Sequence, residues 1–445
     1  MISVSGIRGI FGSDLTPENL TTFTAAFGTW AKGGAIVVGR DSRVTGPLCE
    51  SIICSVLRSI GCDVITVGLA STPTIAMAVL NHQAAGGIII SASHNPAEWN
   101  ALKLIDGESE FLDADEGQKV IDIADKRTYT YSSYDAIGTL THDEKALQNH
   151  IDEILALPYI DTDLIEKAQF SIALDPVNGA GCTAFPLFLK ALGVNDIYAI
   201  NDEPTGLFAH NPEPLPEHLT ELCDLVRQKN CDLGISVDPD ADRLALITDT
   251  GKPFGEEYTQ AAAFDFMLAR QKGTCATNLS SSRIVEDVAQ KHDSVCHRSA
   301  VGEINVVKKM KEQNAIIGGE GNGGVINPDL HYGRDAFVGT AMILQLLAER
   351  EVTLSEYRSS LPDYAICKSK LPLEDLDADG LLEQAATQYA QYSPNTLDGV
   401  KIDFPEGWVH LRKSNTEPIL RIYSEAVTPE EARKLADSVT KKLTS

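Results

Sequence analysis

No run of apolar residues in this chain approaches the ~20 that a membrane-spanning helix needs, so no membrane partner is expected. The opening residues Met1-Ile2-Ser3-Val4-Ser5-Gly6-Ile7-Arg8 lack the charged-then-apolar pattern of a secretory signal. A cytoplasmic protein is the expectation. Basic residues are in short supply: 37 Lys and Arg stand against 63 Asp and Glu, a formal net charge of −26. That balance disfavours nucleic acid and anionic surfaces as partners, because both reward a basic face. It also means that any anionic substrate must meet cations concentrated locally. Paired cysteines are missing too. The nine Cys are scattered, with no C-x-x-C pair, which argues against a cysteine zinc site and for free thiols in a reducing compartment. Low-complexity tracts are likewise absent. At 445 residues the chain is too long for one core, and length alone predicts roughly two to four domains.

What is present is an alternation of strands and helices. A Gly-punctuated stretch, Ser5 to Gly12, reads as a loop around Arg8. Pro17 to Ala31 reads as a helix capped by Thr16. Ala35 to Gly39 and Asp63 to Val67 read as strands, with helices over Pro47 to Ile60 and Pro73 to Leu80. Gly86 to Ile90 is a short apolar run ending in Ser91-Ala92-Ser93-His94-Asn95-Pro96, and the carboxyl end of such a strand is where open α/β sheets bind ligands. The pattern recurs twice. Phe170 to Asp175 opens a second unit, in which Leu233 to Val237 leads into Asp238-Pro239-Asp240-Ala241-Asp242-Arg243. Cys275 to Leu279 opens a third, in which Ala315 to Gly318 leads into Gly319-Glu320-Gly321-Asn322-Gly323-Gly324. From Leu361 the texture changes to four strands and two helices around the polar loop Arg412-Lys413-Ser414-Asn415-Thr416-Glu417-Pro418. The fold class expected is α/β: three related α/β domains with mixed sheets plus a C-terminal α+β domain, around a central active-site cleft. The boundaries expected are 1–150, 151–252, 253–360 and 361–445.

Each loop carries its own chemistry. In extended chain the alternating Asp238, Asp240 and Asp242 would point to one side, and three hard oxygen ligands suit Mg²⁺. The spacing also begins like a calcium EF-hand loop, but Arg243 and Asp249 stand where that loop needs Gly and Glu. Arg412, Ser414, Asn415, Thr416 and Arg421 group cations with hydroxyls and an amide, the materials of a phosphate cradle. Glu320 and Asn322 among glycines supply groups for reading sugar hydroxyls. A hydroxyl nucleophile, a divalent cation, a phosphate cradle and a polyol reader together point to phosphoryl transfer.

These four loops, in this order along the whole chain, resemble those of the α-D-phosphohexomutase family, the phosphoglucosamine, phosphomannose and phosphoglucose mutases. The resemblance implies that Ser93 is a phosphoserine. It exchanges its phosphoryl group with a small-molecule hexose phosphate through a 1,6-bisphosphate, which also serves as activator. It further implies one Mg²⁺ per chain held by Asp238, Asp240, Asp242 and the phosphate on Ser93, with Arg243 touching the same phosphate. Lys103 matches the family's general acid/base, and Arg8 and His94 line the centre; for a lysine in that role the expectation is a pKa lowered by Arg8 and the metal. Two departures bear on the sugar: Gly321-Asn322 follows Glu320 where many relatives have Ser and His, and Gly302-Glu303 stands where many have Gly-His. Both resemble the archaeal-type branch. Glu303 beside Glu320 would favour an ammonium at C2, so glucosamine 6-phosphate is the substrate expected, by a monomer or homodimer. A phosphomannomutase/phosphoglucomutase, a catalytically silent sugar-phosphate binder and an alkaline-phosphatase-like hydrolase are the alternatives. The last would want His grouped near Asp, and the ten His show no such grouping.

Overall fold

The computed structural model describes residues 2–3, 6–373, 377–414 and 419–443. Two compact units divide the chain, Met1–Phe266 with Asn322–Arg358, and Met267–Gly321 with Ser359–Ser445. Among the described residues no helix is long and apolar enough to cross a membrane.

The first unit begins with a seven-stranded sheet. Its strands are β1 (Ile2–Ser3), β2 (Gly6–Ile10), β3 (Ile36–Arg40), β4 (Val64–Leu69), β5 (Gly86–Ile90), β6 (Trp99–Asp106) and β7 (Leu140–His142), in the order β1-β2-β6-β5-β3-β4-β7. β3 runs parallel to β4 and β5, whereas β6 runs antiparallel to both β5 and β2. Alternating side chains explain why the central strands read as unbroken apolar runs. Ile36, Val38, Ile88 and Ile90 pack with Leu20, Phe27, Ile53 and Leu57 of helices Pro17–Trp30 and Gly46–Ile60. Val37 and Ile89 face the other way, onto Ile75 and Val79 of helix Thr72–Asn81.

Two strands here correct the sequence reading. The stretch around Arg8 is not a loop but β2, because β6 supplies its ladder. The close approach is possible only at a glycine: Gly6 has φ +129°, and a Cβ there would stand 1.8 Å from Leu102 O. β6 itself, Trp-Asn-Ala-Leu-Lys-Leu-Ile-Asp, has polar residues at positions that both become buried, so alternation did not reveal it.

β8 (Ser171–Asp175), β9 (Asp196–Ala199), β10 (Leu233–Val237) and β11 (Leu244–Thr248) form a second sheet in the order β11-β10-β8-β9. β10 is buried throughout and delivers the chain directly into Asp238. In the second unit, β12 (Cys275–Asn278) lies between β13 (Cys296–Ser299) and β14 (Ile317–Glu320), parallel to both. The chain re-enters the first unit through β15 (Gly324–Ile326) and the almost wholly buried helix Ala336–Arg350. The second unit closes with the antiparallel sheet β16 (Ala365–Pro372), β17 (Val400–Phe404), β18 (Gly407–Lys413) and β19 (Ile419–Ala426), ordered β16-β19-β18-β17. Helices Ala378–Gln388 and Pro429–Leu443 cover it through Leu381, Ala385, Leu435 and Val439.

One buried polar chain ties the first unit together. Asp335 caps helix Ala336–Arg350 by accepting from the N–H groups of Phe337 and Val338. Its other oxygen lies 3.0 Å from His150 Nε2 and 3.4 Å from His331 Nε2. His150 Nδ1 continues the chain to Thr74, whose hydroxyl meets that of Ser71, the cap of helix Thr72–Asn81. Burial pushes the Asp335 carboxyl up, but His150 and His331 outweigh it and hold it well below the usual carboxylate range. Replacing His150 with Ala is therefore expected to destabilise the protein by about 3 kcal/mol, read from urea unfolding. A loss under about 1 kcal/mol would mean that His331 alone satisfies the carboxylate.

Candidate active site

The nucleophile loop starts where β5 ends. Ser93 is a non-glycine residue in the left-handed region, φ 49°, a conformation that costs on the order of 1 kcal/mol. It turns Oγ, on a residue 3% exposed, toward the second sheet's acidic loop, where it donates to Asp238 Oδ2 at 2.7 Å. His94 Nδ1 lies 3.2 Å from Ser93 Oγ. Burial, then the cations Arg243, Arg8 and Arg334, push the His94 pKa down to about 2, so this imidazole is neutral. Arg8, delivered by β2, donates to Asn95 Oδ1 at 2.9 Å.

The acidic loop is not extended, as its alternation implied. It is a turn pivoting on Ala241, φ 54°, in which Asp238 accepts from the N–H groups of Asp242 and Arg243. The carboxylates converge because the turn folds around Asp238, with one oxygen from each of the three within 4.8 Å of the others. All three residues are 0% exposed. Burial, then Asp242 and Asp240, push the Asp238 carboxyl well above its usual range. Oδ1 of Asp240 and Oδ1 of Asp242 are buried without a hydrogen-bond partner among the described residues. Unsatisfied carboxylate oxygens crowded in this way are a good fit for a small divalent cation.

Lys103, from β6, is buried with Nζ 2.5 Å from Asp240 Oδ2 and 3.9 Å from Asp242 Oδ2. The lowered pKa expected for it is not found. Burial does push it down, but Asp240 and Asp242 outweigh that and raise it. Lys103 thus stands protonated beside Asp240. Arg243 points its Nη1 at Glu213, 3.3 Å away, and keeps a buried Nε without a partner among the described residues. Asn322 accepts from the Gly324 N–H, shaping the turn into β15.

The remaining residues singled out from the sequence lie in the second unit. Glu320, at the end of β14, accepts from Asn278 Nδ2 at 3.0 Å, and the Gly321 N–H reaches Ser281 Oγ. Gly302, φ +113°, starts the helix Glu303–Gln313, with Glu303 as its first residue. The preceding Val301 N–H is held by Asp398, whose other oxygen lies 3.3 Å from Arg412 Nε. Arg412 is paired directly with Arg421 on β19, and Arg421 with Lys370 on β16. Three cations therefore share one row on one face, a like-charge arrangement that Asp398 beside Arg412 offsets in part. Ser414 follows β18 and its N–H bonds Ile419 O; Asn415 and Thr416 lie outside the described residues.

Four profiles of one family match the chain in order: Phosphoglucomutase/phosphomannomutase alpha/beta/alpha domain I over residues 2–130, domain II over 148–251, domain III over 255–364, and the C-terminal domain over 369–442. The chain belongs to this family. It is 36% identical over 438 residues to a phosphoglucomutase/phosphomannomutase of Thermococcus kodakarensis, covering 96% of this chain and 95% of that protein. It is 31% identical to a phosphoglucosamine/phosphogalactosamine mutase of Sulfurisphaera tokodaii, covering 99% and 98%. Among solved structures, a phosphoglucomutase/phosphomannomutase family protein of Burkholderia thailandensis superposes with TM-score 0.86 at 23% identity, covering 100% of this chain and 98% of that one.

In this phosphoglucomutase/phosphomannomutase family member, three contributors to the centre were not visible from the sequence. Arg334 donates to Asp242 Oδ2 at 2.6 Å. Thr72 gives its hydroxyl to Asp240 Oδ2 at 2.6 Å and its N–H to Asp240 O. Arg43 is wholly buried behind the nucleophile loop. Each sits far in sequence from what it touches. The only signal available was the charged cluster Arg40-Asp41-Ser42-Arg43 at the end of β3.

Proposed function

We propose that this family member is a phosphohexomutase that interconverts glucosamine 6-phosphate and glucosamine 1-phosphate. The observation that carries the reading is Ser93 Oγ, 2.7 Å from Asp238 within the buried acidic triad, with Lys103 beside it on Asp240. In the working cycle Ser93 carries the phosphoryl group and passes it to a sugar hydroxyl, leaving a bound 1,6-bisphosphate. The other phosphate then returns to Ser93. Asp238, Asp240, Asp242 and the phosphate on Ser93 would hold one Mg²⁺, which neutralises charge on the transferring group. Arg243 offers its unpartnered Nε to the same phosphate, and Arg8 and neutral His94 fix the loop edge. Lys103, kept protonated by Asp240, gives a proton to the Ser93 oxygen as that oxygen leaves phosphorus and takes up the proton that the attacking sugar hydroxyl releases, so one proton passes from sugar to serine through Lys103, and the reverse transfer runs the same relay backwards. Free hexose 1,6-bisphosphate serves as activator by phosphorylating Ser93.

The distant phosphate of the substrate falls to Arg412, Ser414, Asn415, Thr416 and Arg421, and the cationic row that includes Lys370 supports this assignment. Glu320 and Asn322 are assigned to the sugar hydroxyls, and Gly302 and Glu303 to C2. On this reading residues 1–150 carry the phosphoserine, 151–252 the metal loop, 253–360 sugar recognition and 361–445 the phosphate cradle. A general phosphomannomutase/phosphoglucomutase is the second reading, favoured by the Thermococcus kodakarensis relative.

The test is kcat/KM for glucosamine, mannose and glucose 6-phosphates, measured with Mg²⁺ and a trace of hexose 1,6-bisphosphate. The result expected is a preference for the amino sugar of at least tenfold, ~1.4 kcal/mol at the transition state. Glu303→Gln should erode that preference, lowering amino-sugar turnover more than mannose-phosphate turnover. Equal or better turnover of the neutral sugars would favour the second reading.

A further inference from the structure

The cluster Arg40-Asp41-Ser42-Arg43 begins at the last residue of β3 and has no part in the chemistry derived above. Arg43 is 0% exposed, and every one of its guanidinium donors is committed. Nη2 donates to Ser93 O at 2.6 Å and Asn95 O at 2.7 Å. Nη1 donates to Pro96 O at 2.6 Å and Trp99 O at 2.8 Å. Nε donates to Asp41 Oδ2 at 3.0 Å. A guanidinium has five N–H donors, and four of these end on carbonyls of the segment that carries the nucleophile. No donor is left for a substrate phosphate, so Arg43 is not a substrate ligand.

The same set closes into a ring. Asp41 accepts the Arg43 backbone N–H at 2.9 Å and donates its own N–H at 3.0 Å to the carbonyl of Ile90, the residue before Ser91. Ser91 Oγ in turn accepts the Ser93 N–H at 2.9 Å. Both backbone polar groups of Ser93 are thus gripped by buried side chains, one through Ser91 and one through Arg43, and Asp41 ties Arg43 to the strand end that carries Ser91. Ser93 is the residue held at φ 49°. Without the grip, a serine would relax to negative φ and carry Oγ away from Asp238.

We propose that Arg43, with Asp41 and Ser91, forms a positioning ring that holds Ser93 in its left-handed conformation and so aims the nucleophile at the acidic triad. The ring acts through Ser93 and touches no substrate. The inference rests on the mutase reading for its kinetic readout but not for its structural one. Lysine cannot replace Arg43, because its three donors leave the ring's carbonyls unpaired and lack the planar fork.

The test uses Arg43→Lys and the smaller change Ser91→Ala in the full-length protein. Steady-state kinetics on a hexose phosphate should show kcat lowered on the order of 100-fold for Arg43→Lys and about tenfold for Ser91→Ala, with KM within threefold of wild type for both. Hydrogen exchange should show lost protection at the Ser93 amide and across residues 91–99, while β10 keeps its protection. A merely structural role would lower the melting temperature and leave kcat per folded molecule unchanged, which overturns the proposal. So would Ser91→Ala with wild-type kcat and wild-type exchange at Ser93. Should Arg43→Lys fail to fold, Ser91→Ala decides. Should the wild type convert no hexose phosphate, the mutase reading falls, and exchange at Ser93 in Ser91→Ala still decides the ring.

Discussion

Ser93→Ala is expected to lower kcat by at least about 10⁴-fold, the scale on which removal of a covalent nucleophile acts. The variant should still fold, because the ring through Arg43 and Ser91 holds the backbone of this residue and not its hydroxyl. It should also still bind hexose phosphate, since the cations assigned to the distant phosphate lie on β18 and β19. Calorimetric titration with a hexose phosphate would show this as an affinity within a few-fold of wild type. Incubation with a hexose 1,6-bisphosphate should add one phosphoryl group to the wild type by intact mass and none to the variant. Turnover surviving within tenfold of wild type, or phosphorylation of Ser93→Ala, would place the nucleophile elsewhere; Ser91, whose hydroxyl accepts the Ser93 N–H, would be the first residue to test.

Asp240→Asn has the second largest expected effect, because Asp240 serves three partners at once. Its Oδ2 takes Lys103 at 2.5 Å and Thr72 at 2.6 Å, and its unpartnered Oδ1 is offered to a cation. The amide keeps the shape and removes the charge. A cation's stabilisation of a transferring phosphoryl group is worth several kcal/mol, and losing about 4 kcal/mol corresponds to a fall in kcat of ~10³-fold. Two further changes should accompany it. Mg²⁺ should bind more weakly by calorimetry, and Lys103, deprived of the carboxylate that most raises its pKa, should lose its proton more readily, shifting the activity profile to lower pH. Wild-type activity that survives exhaustive chelation would remove Mg²⁺ from the reading. An unchanged pH profile in Asp240→Asn would remove Lys103 as the proton donor.

Local signals were readable before the structure was known, and long-range ones were not. Thr16 as a cap with Pro17 behind it is stated by adjacent residues, and the helix begins there, with Thr16 accepting from the Asn19 N–H. The Gly86–Ile90 strand was visible because both its faces are covered, so every side chain is apolar or small. Lys103 was placed at the centre by its distance from Ser93 in a known motif. Its strand was hidden because Asn100 and Lys103 are polar and buried, satisfied by partners that lie 55 and 137 residues away. The turns that aim Ser93 and Asp238 were hidden for another reason. Their left-handed positions are filled by Ser93 and Ala241, and no glycine announces them. The order of the four family domains, by contrast, was legible throughout because each leaves a short polar loop at the end of an apolar strand.

The row Lys370–Arg421–Arg412 has a consequence for the lifetime of the protein. A sheet that carries three like charges abreast gains stability from any oxyanion that settles on it, so on the proposed function a hexose phosphate would also be a ligand of the folded state. When hexose phosphate is plentiful the β16–β19 sheet would open less often and offer proteases fewer chances. When it is scarce the row falls back on Asp398, 3.3 Å from Arg412 Nε, and the sheet would open more often. Metabolic supply would then tune how much enzyme persists, with no regulator beyond the charges assigned to the substrate phosphate.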